Sequence, residues 1–595
     1  MRIDADQMMT FWDWLIPGMG LLNALLLVVA LAAIGFAVCY LIAARLYGPA
    51  EGFYVIAEVV AKFIREDLPN TSLRRIAAMA RLAFQEALRR KVLAVFAVFV
   101  VGLMFAGWYL DPAADDPAKL YISFVMTSIN YMMMLLGLFL ASFSLPSDIK
   151  NRTIYTIITK PVRPTEIVLG RVLGFTLVGT LLLASMGVLS YIFVTRGIVH
   201  YHEMEPMEAN ARKGISSYDA RHSHTVTFLE DGTGVTDEVK AHRHTVTVRE
   251  VDGKKVYEFG PPEGTLQARI PVFGLLRFTQ RDGSEGDGIN VGYESTYRKY
   301  IDGASLSSAI WTFDNVTEAN FGDKLNVEMT ITAYRTFKGD IVTGVRGSVI
   351  LRSPDGKVES ERFPFIVKEY QVDRMEIPSQ LKGFRDGQPQ DLNLYKDLVQ
   401  DGKVEVIVRC NDRSQYFGMA PADLYLRKGD APFAWNFFKG FVGIWFQMVI
   451  IICFGVMFST FLTGPVAMIS TLAALTLGFF GSLAAGALSG EIVGGGPIQS
   501  LIRTVTQQSP TIPIDLGAPW LEEGIRLTDQ GILGVLTALT SALPNFQSLN
   551  TADFVAFGIN ITGDLVARHG LTTLGYLLLT TIISYFFLKT REFAA

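Results

Sequence analysis

Six of the seven histidines in this 595-residue chain fall into three His-x-His pairs: His200/His202, His222/His224 and His242/His244. The last two pairs sit in a near repeat, His222-Ser-His-Thr-Val-Thr227 and His242-Arg-His-Thr-Val-Thr247. On a β-strand, residues i and i+2 share a face, so each pair presents two imidazoles to one side, an arrangement that chelates a divalent transition metal. If the two repeated strands pair, four imidazoles converge. The competing reading is a duplicated strand with exposed polar residues, because no carboxylate or cysteine is recruited beside the pairs. Sequence leaves both open, and no metal or cofactor is assigned.

Other chemistry is scarce. The Gly-Lys pairs at 253–254, 356–357 and 402–403 are followed by Lys, Val and Val, so none is a phosphate-cradling P-loop. There is no Gly-x-Ser-x-Gly elbow and no His-Glu-x-x-His. Of the three cysteines, Cys39 and Cys453 fall in hydrophobic stretches and Cys410 stands alone, which excludes a disulfide framework and a zinc-site spacing. No catalytic residue is assigned, and an enzymatic role for this chain alone is not expected. No basic tract points to nucleic acid, and the formal net charge is only −4.

The elements that would position these residues are membrane helices. Half the residues are hydrophobic, and the mean hydropathy is +0.31, more apolar than a soluble surface allows at this length. Seven apolar stretches read as spans, at 21–44, 92–110, 120–144, 172–194, 437–460, 466–488 and 571–588, the last with an earlier start as the alternative because Phe554 to Val566 is also largely apolar. Asn130 and Gln447 are the main polar groups within them, and helix–helix hydrogen bonding is their expected role, with contact to a substrate as the alternative. The spans lack a mid-depth carboxylate or lysine, which argues against a proton-driven carrier. The N-terminus has no positive n-region, since Arg2 faces Asp4, Asp6 and Asp13, so no signal peptide is read there.

Charge orients the spans. Segment 45–91 holds nine Lys or Arg and segment 145–171 holds five (Lys150, Arg152, Lys160, Arg163 and Arg171), and the tail adds Lys589 and Arg591. Loop 111–119 instead carries Asp111, Asp115 and Asp116 against Lys119. Basic segments belong on the cytoplasmic side, which predicts an integral protein of the cytoplasmic (inner) membrane with its N-terminus outside and C-terminus inside. Within 145–171, Ile154 to Ile158 is a short amphipathic turn ended by Pro161 and Pro164. Held at the membrane surface by two spans, it is a docking knob on which a motor from another chain pushes.

Two large pieces are then extracytoplasmic. In 220–430, period-2 alternation appears, as in Leu325 to Tyr334 and Val404 to Cys410. Asp-Gly pairs at 231–232, 252–253, 355–356 and 401–402 mark hairpin turns. The expected fold class is therefore an α-helical polytopic membrane protein of about seven transmembrane helices with an inserted extracytoplasmic all-β, β-sandwich-like domain. Segment 489–570, with Gly494-Gly-Gly-Pro497 and the apolar Gly531 to Leu539, reads as interfacial or re-entrant helices or as an amphipathic loop.

Segment 145–171 resembles the cytoplasmic coupling region of ABC-type export permeases of the second class. The resemblance rests on Asp148, Arg152-Thr153, Ile154 to Ile158, Pro161-Val162-Arg163 and Gly170-Arg171. Arg75 to Lys91 looks like that family's amphipathic surface helix, Phe458 to Ala467 like its inner turn, and Phe587 to Phe593 like its tail. The match covers about 76–195 and 437–595. It implies a six-span core that dimerises, with itself or with a related permease, within membrane lipid. It also implies a separate ABC ATPase subunit coupled through Asp148, Arg152, Thr153, Tyr155, Ile158, Lys160, Pro161 and Arg163. The expected divisions are 1–75 (extra span and linker), 76–195 and 436–595 (the two core halves), and 196–435 (the β-rich insert). The extra span and the large insert depart from simple members, and the insert leaves the substrate class open; a subset associated with copper-enzyme maturation is kept in view because of the histidines. The alternative is a non-transporting membrane anchor that displays the β-domain as a receptor or assembly scaffold.

Overall fold

The computed structural model describes residues 3, 5–16, 20–89, 92–108, 110–111, 114, 116–206, 212–229, 233–240, 242–251, 254–291, 297–336, 344–367, 372–489, 494–509, 514 and 516–590. Asp4, Arg90, Lys91, Asp115, the Asp-Gly turns at 231–232 and 252–253, and the tail from Arg591 lie outside them, as do the side chains of Cys39, Ile157 and Ile158. The chain forms two compact units, 10–268 with 432–479 and 542–595, and 1–9 with 269–431 and 480–541.

Five helices among the described residues, all but the last two residues of one of them in the first unit, are long and apolar enough to cross a membrane: Pro117–Lys150, Pro164–Gly197, Phe433–Ser459, Gly464–Gly481 and Gly563–Lys589. They account for five of the seven expected spans. The predicted 92–110 span contains a 13-residue helix, Leu93–Phe105, about 20 Å long against a hydrocarbon core of about 30 Å. The predicted 21–44 span lies in a 28-residue helix, Gly20–Tyr47. Around 554–566 the apolar stretch is divided into a short helix, Ala552–Ala556, and the start of Gly563–Thr590.

The 117–150 and 164–197 helices have 34 residues each, about 51 Å, so each extends well beyond a membrane core. Between them lies the five-residue helix Ile154–Ile158. The 433–459 helix packs against both long helices and the 563–590 helix. Asn130 Nδ2 donates to Gln447 Oε1 at 3.3 Å, and Gln447 Nε2 donates to the Leu549 carbonyl at 3.0 Å. Both polar residues are buried and joined across helices, as expected for groups removed from water.

The same unit carries a five-stranded antiparallel sheet in simple chain order, Lys213–Ile215, Thr225–Phe228, Thr233–Thr236, Thr245–Val251 and Lys254–Phe259.

The second unit is β-rich, with sheets of nine, four and three strands. Val404–Cys410 lies at the centre of the largest, between Ser308–Phe313 and Val345–Arg352. One core takes Trp311, Val349, Leu351, Val406 and Val408 from that sheet and Leu325, Val327, Ile377 and Leu426 from the four-stranded one. The alternation in Val404 to Cys410 is thus a real inward face. The run Leu325 to Tyr334 is interrupted: Lys324–Met329 belongs to the four-stranded sheet and Thr332–Arg335 to the three-stranded one. The chain changes sheets at Thr330, whose N–H is taken by the Asp423 carbonyl at 2.7 Å. Of the described Asp-Gly pairs, Asp401-Gly402 has φ of 51° and 75°, and Gly356 has φ of 74°, the left-handed backbone that tight hairpins require. Segment 480–541 holds the end of the helix Gly464–Ser489 and, beyond it, the helices Pro497–Thr506 and Pro519–Ser541. Asp529 accepts the N–H groups of Ile498 and Gln499 at 2.8 and 2.9 Å and so fastens the 497–506 helix to the 519–541 helix.

Candidate functional site

Two sites emerge. The first lies where the two long helices meet. Asp148, in the last turn of the 117–150 helix, forms an ion pair with the buried Arg171 and accepts the Thr153 hydroxyl at 2.8 Å. Arg171 also reaches Ser144 and, at 3.5 Å, Glu86. Arg163 Nη1 donates to Asp67 Oδ1 at 2.6 Å and to the Glu66 carbonyl. Asp67 also accepts the Tyr585 hydroxyl at 2.6 Å and Lys589 at 3.0 Å, gathering the C-terminal helix into the same cluster. Glu166 is fully buried; it caps its own helix through the Arg163 N–H at 3.0 Å, takes the Ser72 N–H at 2.8 Å, and pairs with Arg75 at 2.7 Å. The structure therefore joins Asp148, Thr153 and Arg163 to partners. Arg152, Tyr155, Lys160 and Pro161 face outward, with Arg152 at φ 59° in the turn between helices. Ile158 closes the short helix. Sequence reasoning missed Asp67, Glu86, Glu166 and Tyr585. Only Glu166 left a local signal: Pro164 at the first helical position and an acidic residue two positions later form a helix start.

The amphipathic helix Leu73–Arg89 lies along the 164–197 helix. Its Met79, Ala80 and Ala83 occupy the space that a Cβ on Gly170 or Gly174 would need. Gly174→Leu is expected to pry the two helices apart and cost about 1–3 kcal/mol as an overpacked substitution, read as a lower unfolding temperature in detergent. Gly102, with open space around the Cβ position, is the control for substitution as such.

The second site is the lobe after the 164–197 helix. All three His-x-His pairs meet there, so the convergence is of six imidazoles and not the four anticipated. The pair at 200/202 joins the other two although no Thr-Val-Thr follows it. The rings are not exposed polar groups: His202, His222, His224, His242 and His244 are buried, and His200 is half-buried.

The three pairs are built alike. The first histidine of each bonds through Nδ1 to the carbonyl two residues earlier: His200 to Ile198, His222 to Ala220 and His242 to Lys240, each at 3.1 Å. The second bonds through Nδ1 to a carbonyl further along: His202 to Ser217 at 2.9 Å, His224 to Asp237 at 3.1 Å and His244 to Gly260 at 2.8 Å. The backbone repeats too. Ser216 N–H donates to the His224 carbonyl at 2.9 Å and Thr236 N–H to the His244 carbonyl at 3.0 Å, while the Ser216 and Thr236 hydroxyls accept the His224 and His244 N–H groups. Tight turns precede two of the pairs, with Ala220, Arg221 and Lys240 at φ of 45°, 59° and 49°. Non-glycine residues hold this left-handed backbone only where the surroundings impose it.

A carbonyl can only accept, so the Nδ1 bonded to it carries the proton, and in the neutral ring Nε2 presents a bare lone pair. The Nε2 atoms face one another: 3.0 Å for His200 to His242 and for His222 to His242, and 3.3 Å for His202 to His222 and for His224 to His242. Burial, foremost, pushes the imidazoles of His222 and His244 down to about 4 and that of His242 to about 3, so they are neutral near pH 7. Neighbouring rings have centroids 4.7–5.2 Å apart and planes crossing at 73–89°. Three pairs alone are not neighbours: His200/His224, His202/His242 and His222/His244. Those are the antipodal pairs of an octahedron, with the first histidines of the three pairs on one triangular face and the second histidines on the opposite one. Among the described residues, this is where side chains able to hold a metal ion converge.

No family model, curated protein or solved structure matches the chain, so the two sites rest on their own geometry: a helix junction beside an exposed turn, and a buried nest of six imidazole lone pairs.

Proposed function

We propose that the chain is the membrane-spanning permease subunit of an ATP-driven ABC exporter, moved by a separate ATPase that docks on 148–164. The observation that carries this reading is the junction itself. Arg152, Tyr155, Lys160 and Pro161 are exposed, while both ends of the segment are fastened by ion pairs, Asp148 to Arg171 and Arg163 to Asp67. A force on the exposed turn passes through charged, hydrogen-bonded contacts into two long helices rather than dissipating in a loop. In this reading the junction is cytoplasmic, as its basic residues favour. The N-terminus lies outside and the C-terminus inside the inner membrane, the β-rich unit is an extracytoplasmic sandwich, and the permease dimerises with itself or a related chain.

Tyr155→Glu combined with Ile158→Glu tests this. The doubly substituted chain is expected to reach the membrane in normal amount yet to lose most of its stimulation of a co-expressed ATPase, measured as phosphate release by the purified complex. Unchanged stimulation would refute docking at this turn. A second reading, a non-transporting anchor that displays the β-rich unit, draws on that unit's self-contained core. It predicts that no ATPase co-purifies with the chain.

A further inference from the structure

We propose that the six histidines bind one divalent first-row transition-metal ion in octahedral, all-imidazole coordination, and that this ion clamps the lobe that follows the 164–197 helix. The inference stands whether or not the chain couples to an ATPase.

The distances define the cavity. Four of the twelve octahedral edges, three of them at His242, measure 3.0–3.3 Å, while His244 Nε2 makes no such approach; an octahedron with such edges has its vertices about 2.1–2.3 Å from the centre, beside the metal–imidazole bond of about 2.0–2.1 Å known for zinc. Opposite vertices would be about 4.2–4.7 Å apart by the same geometry, and the ligand atoms of His200, His202, His224, His242 and His244 all lie within 4.8 Å of one another. His222 is not in that mutual group, but its Nε2 approaches those of His242 and His202 at 3.0 and 3.3 Å and supplies the sixth lone pair.

The electrostatics demand an occupant. Six lone pairs converge with no donor among them, and His244 Nε2 is buried without any hydrogen-bond partner. A buried acceptor left unsatisfied costs about 1–3 kcal/mol, and lone pairs this close also repel. A cation at the centre satisfies all six at once. The Nδ1–H to carbonyl bonds are the usual outer support of a metal-bound imidazole, fixing both tautomer and ring orientation, and here every ligand has one. Asp237, 3.5 Å from His224 Nδ1, adds negative charge behind the ring.

Ligand type narrows the ion. An all-nitrogen set disfavours Mg²⁺, Ca²⁺ and Mn²⁺, which prefer oxygen. Structural Zn²⁺ is almost always tetrahedral, and Cu²⁺ prefers tetragonal sites. A six-nitrogen set of octahedral arrangement suits Fe²⁺, Co²⁺ or Ni²⁺. With six protein ligands no coordination position is left for water or substrate, so the ion is a structural clamp and not a Lewis-acid catalyst. It ties His200 and His202, which follow directly on the helix end at Gly197, to the turns that carry the other four ligands.

The test uses the full-length chain in detergent, loaded with Co²⁺ alone or Ni²⁺ alone and then desalted. One ion per chain by elemental analysis, the weak visible absorption of six-coordinate Co²⁺, and a raised unfolding temperature are expected. His200→Gln removes the least buried ligand and is the variant most apt to keep the fold. It should weaken Ni²⁺ binding at least ten-fold and strengthen the Co²⁺ absorption as the symmetry drops. A chain that is folded by circular dichroism yet retains neither ion would overturn the proposal. So would the intense spectrum of tetrahedral Co²⁺, or binding that His200→Gln leaves unchanged.

Discussion

Replacing Arg171 with leucine is expected to destabilise the helix junction by about 3–5 kcal/mol, the usual loss when one partner of a buried ion pair is removed. The guanidinium is buried, while Asp148 and Glu86 keep side-chain exposures of 19% and 23%. Partial access to water places the expected loss at the lower end of that range. Leucine fills much of the space but leaves the two carboxylates and the Ser144 hydroxyl without their shared donor. The double substitution Arg171→Leu with Asp148→Leu should recover part of the loss, because the stranded charge goes with it. Thermal unfolding of the four proteins of this cycle in detergent measures the coupling. A loss in the double variant equal to the sum of the two single losses would show that the pair contributes nothing of its own. In the proposed exporter, Arg171→Leu should also lower ATPase stimulation even where the fold survives, since Asp148 fixes one end of the docking turn.

Glu328 anchors the other large effect, in the β-rich unit. Its carboxylate is buried beneath Arg269 at 2.9 Å, Arg427 at 2.8 Å, the Tyr425 hydroxyl at 2.5 Å and Arg374 at 3.7 Å. Burial pulls this carboxyl upward, but the Arg269 charge, the Tyr425 hydroxyl and the charges of Arg427 and Arg374 outweigh it and hold it below the usual glutamate range. Glu328→Leu takes from Arg269, Arg374 and Arg427 the buried carboxylate they share, although Arg427 keeps Asp430 at 2.5 Å, and a loss of about 3–5 kcal/mol is expected. The sign of the pH effect follows. A depressed carboxyl stabilises the fold fully above its unfolded value, about 4.3, and that contribution disappears as pH falls through the lower folded value. Unfolding of the β-rich unit, followed by tryptophan fluorescence through the buried Trp311, should therefore show a stability loss below about pH 4 that is shallower in Glu328→Gln.

What could be read from sequence was local. The Asp-Gly turn at 401–402 was legible because two successive left-handed residues are costly for most side chains. The strand 404–410 was legible because its alternation matches a buried face. The His-x-His pairs were legible as chelating units, since strand geometry brings i and i+2 together. Their number was not. The Nδ1 acceptors of His202, His224 and His244 lie 15, 13 and 16 residues away, and the first pair lacks the repeat that marks the other two. The junction was half legible: Asp148, Thr153 and Arg163 stood out, but Asp67 lies 96 residues from Arg163 and Arg75 lies 91 from Glu166. Pairing over such distances is decided by helix packing, which no local pattern encodes. The length of the 93–105 helix also escaped, because an apolar run does not reveal where its backbone leaves the helix.

The histidine cage also has a place in time. Its six ligands and the carbonyls that orient them all fall between Ile198 and Gly260, so the centre needs only contacts between near neighbours in sequence. The nine-stranded sheet, by contrast, cannot close until its middle strand, 404–410, has been synthesised, and the 117–150 helix waits for 433–459 to bury its face. Because a chain made from its N-terminus completes short-range structure first, the cage can close soon after residue 260 emerges. It would then be an early fixed point from which the remainder of the molecule is assembled.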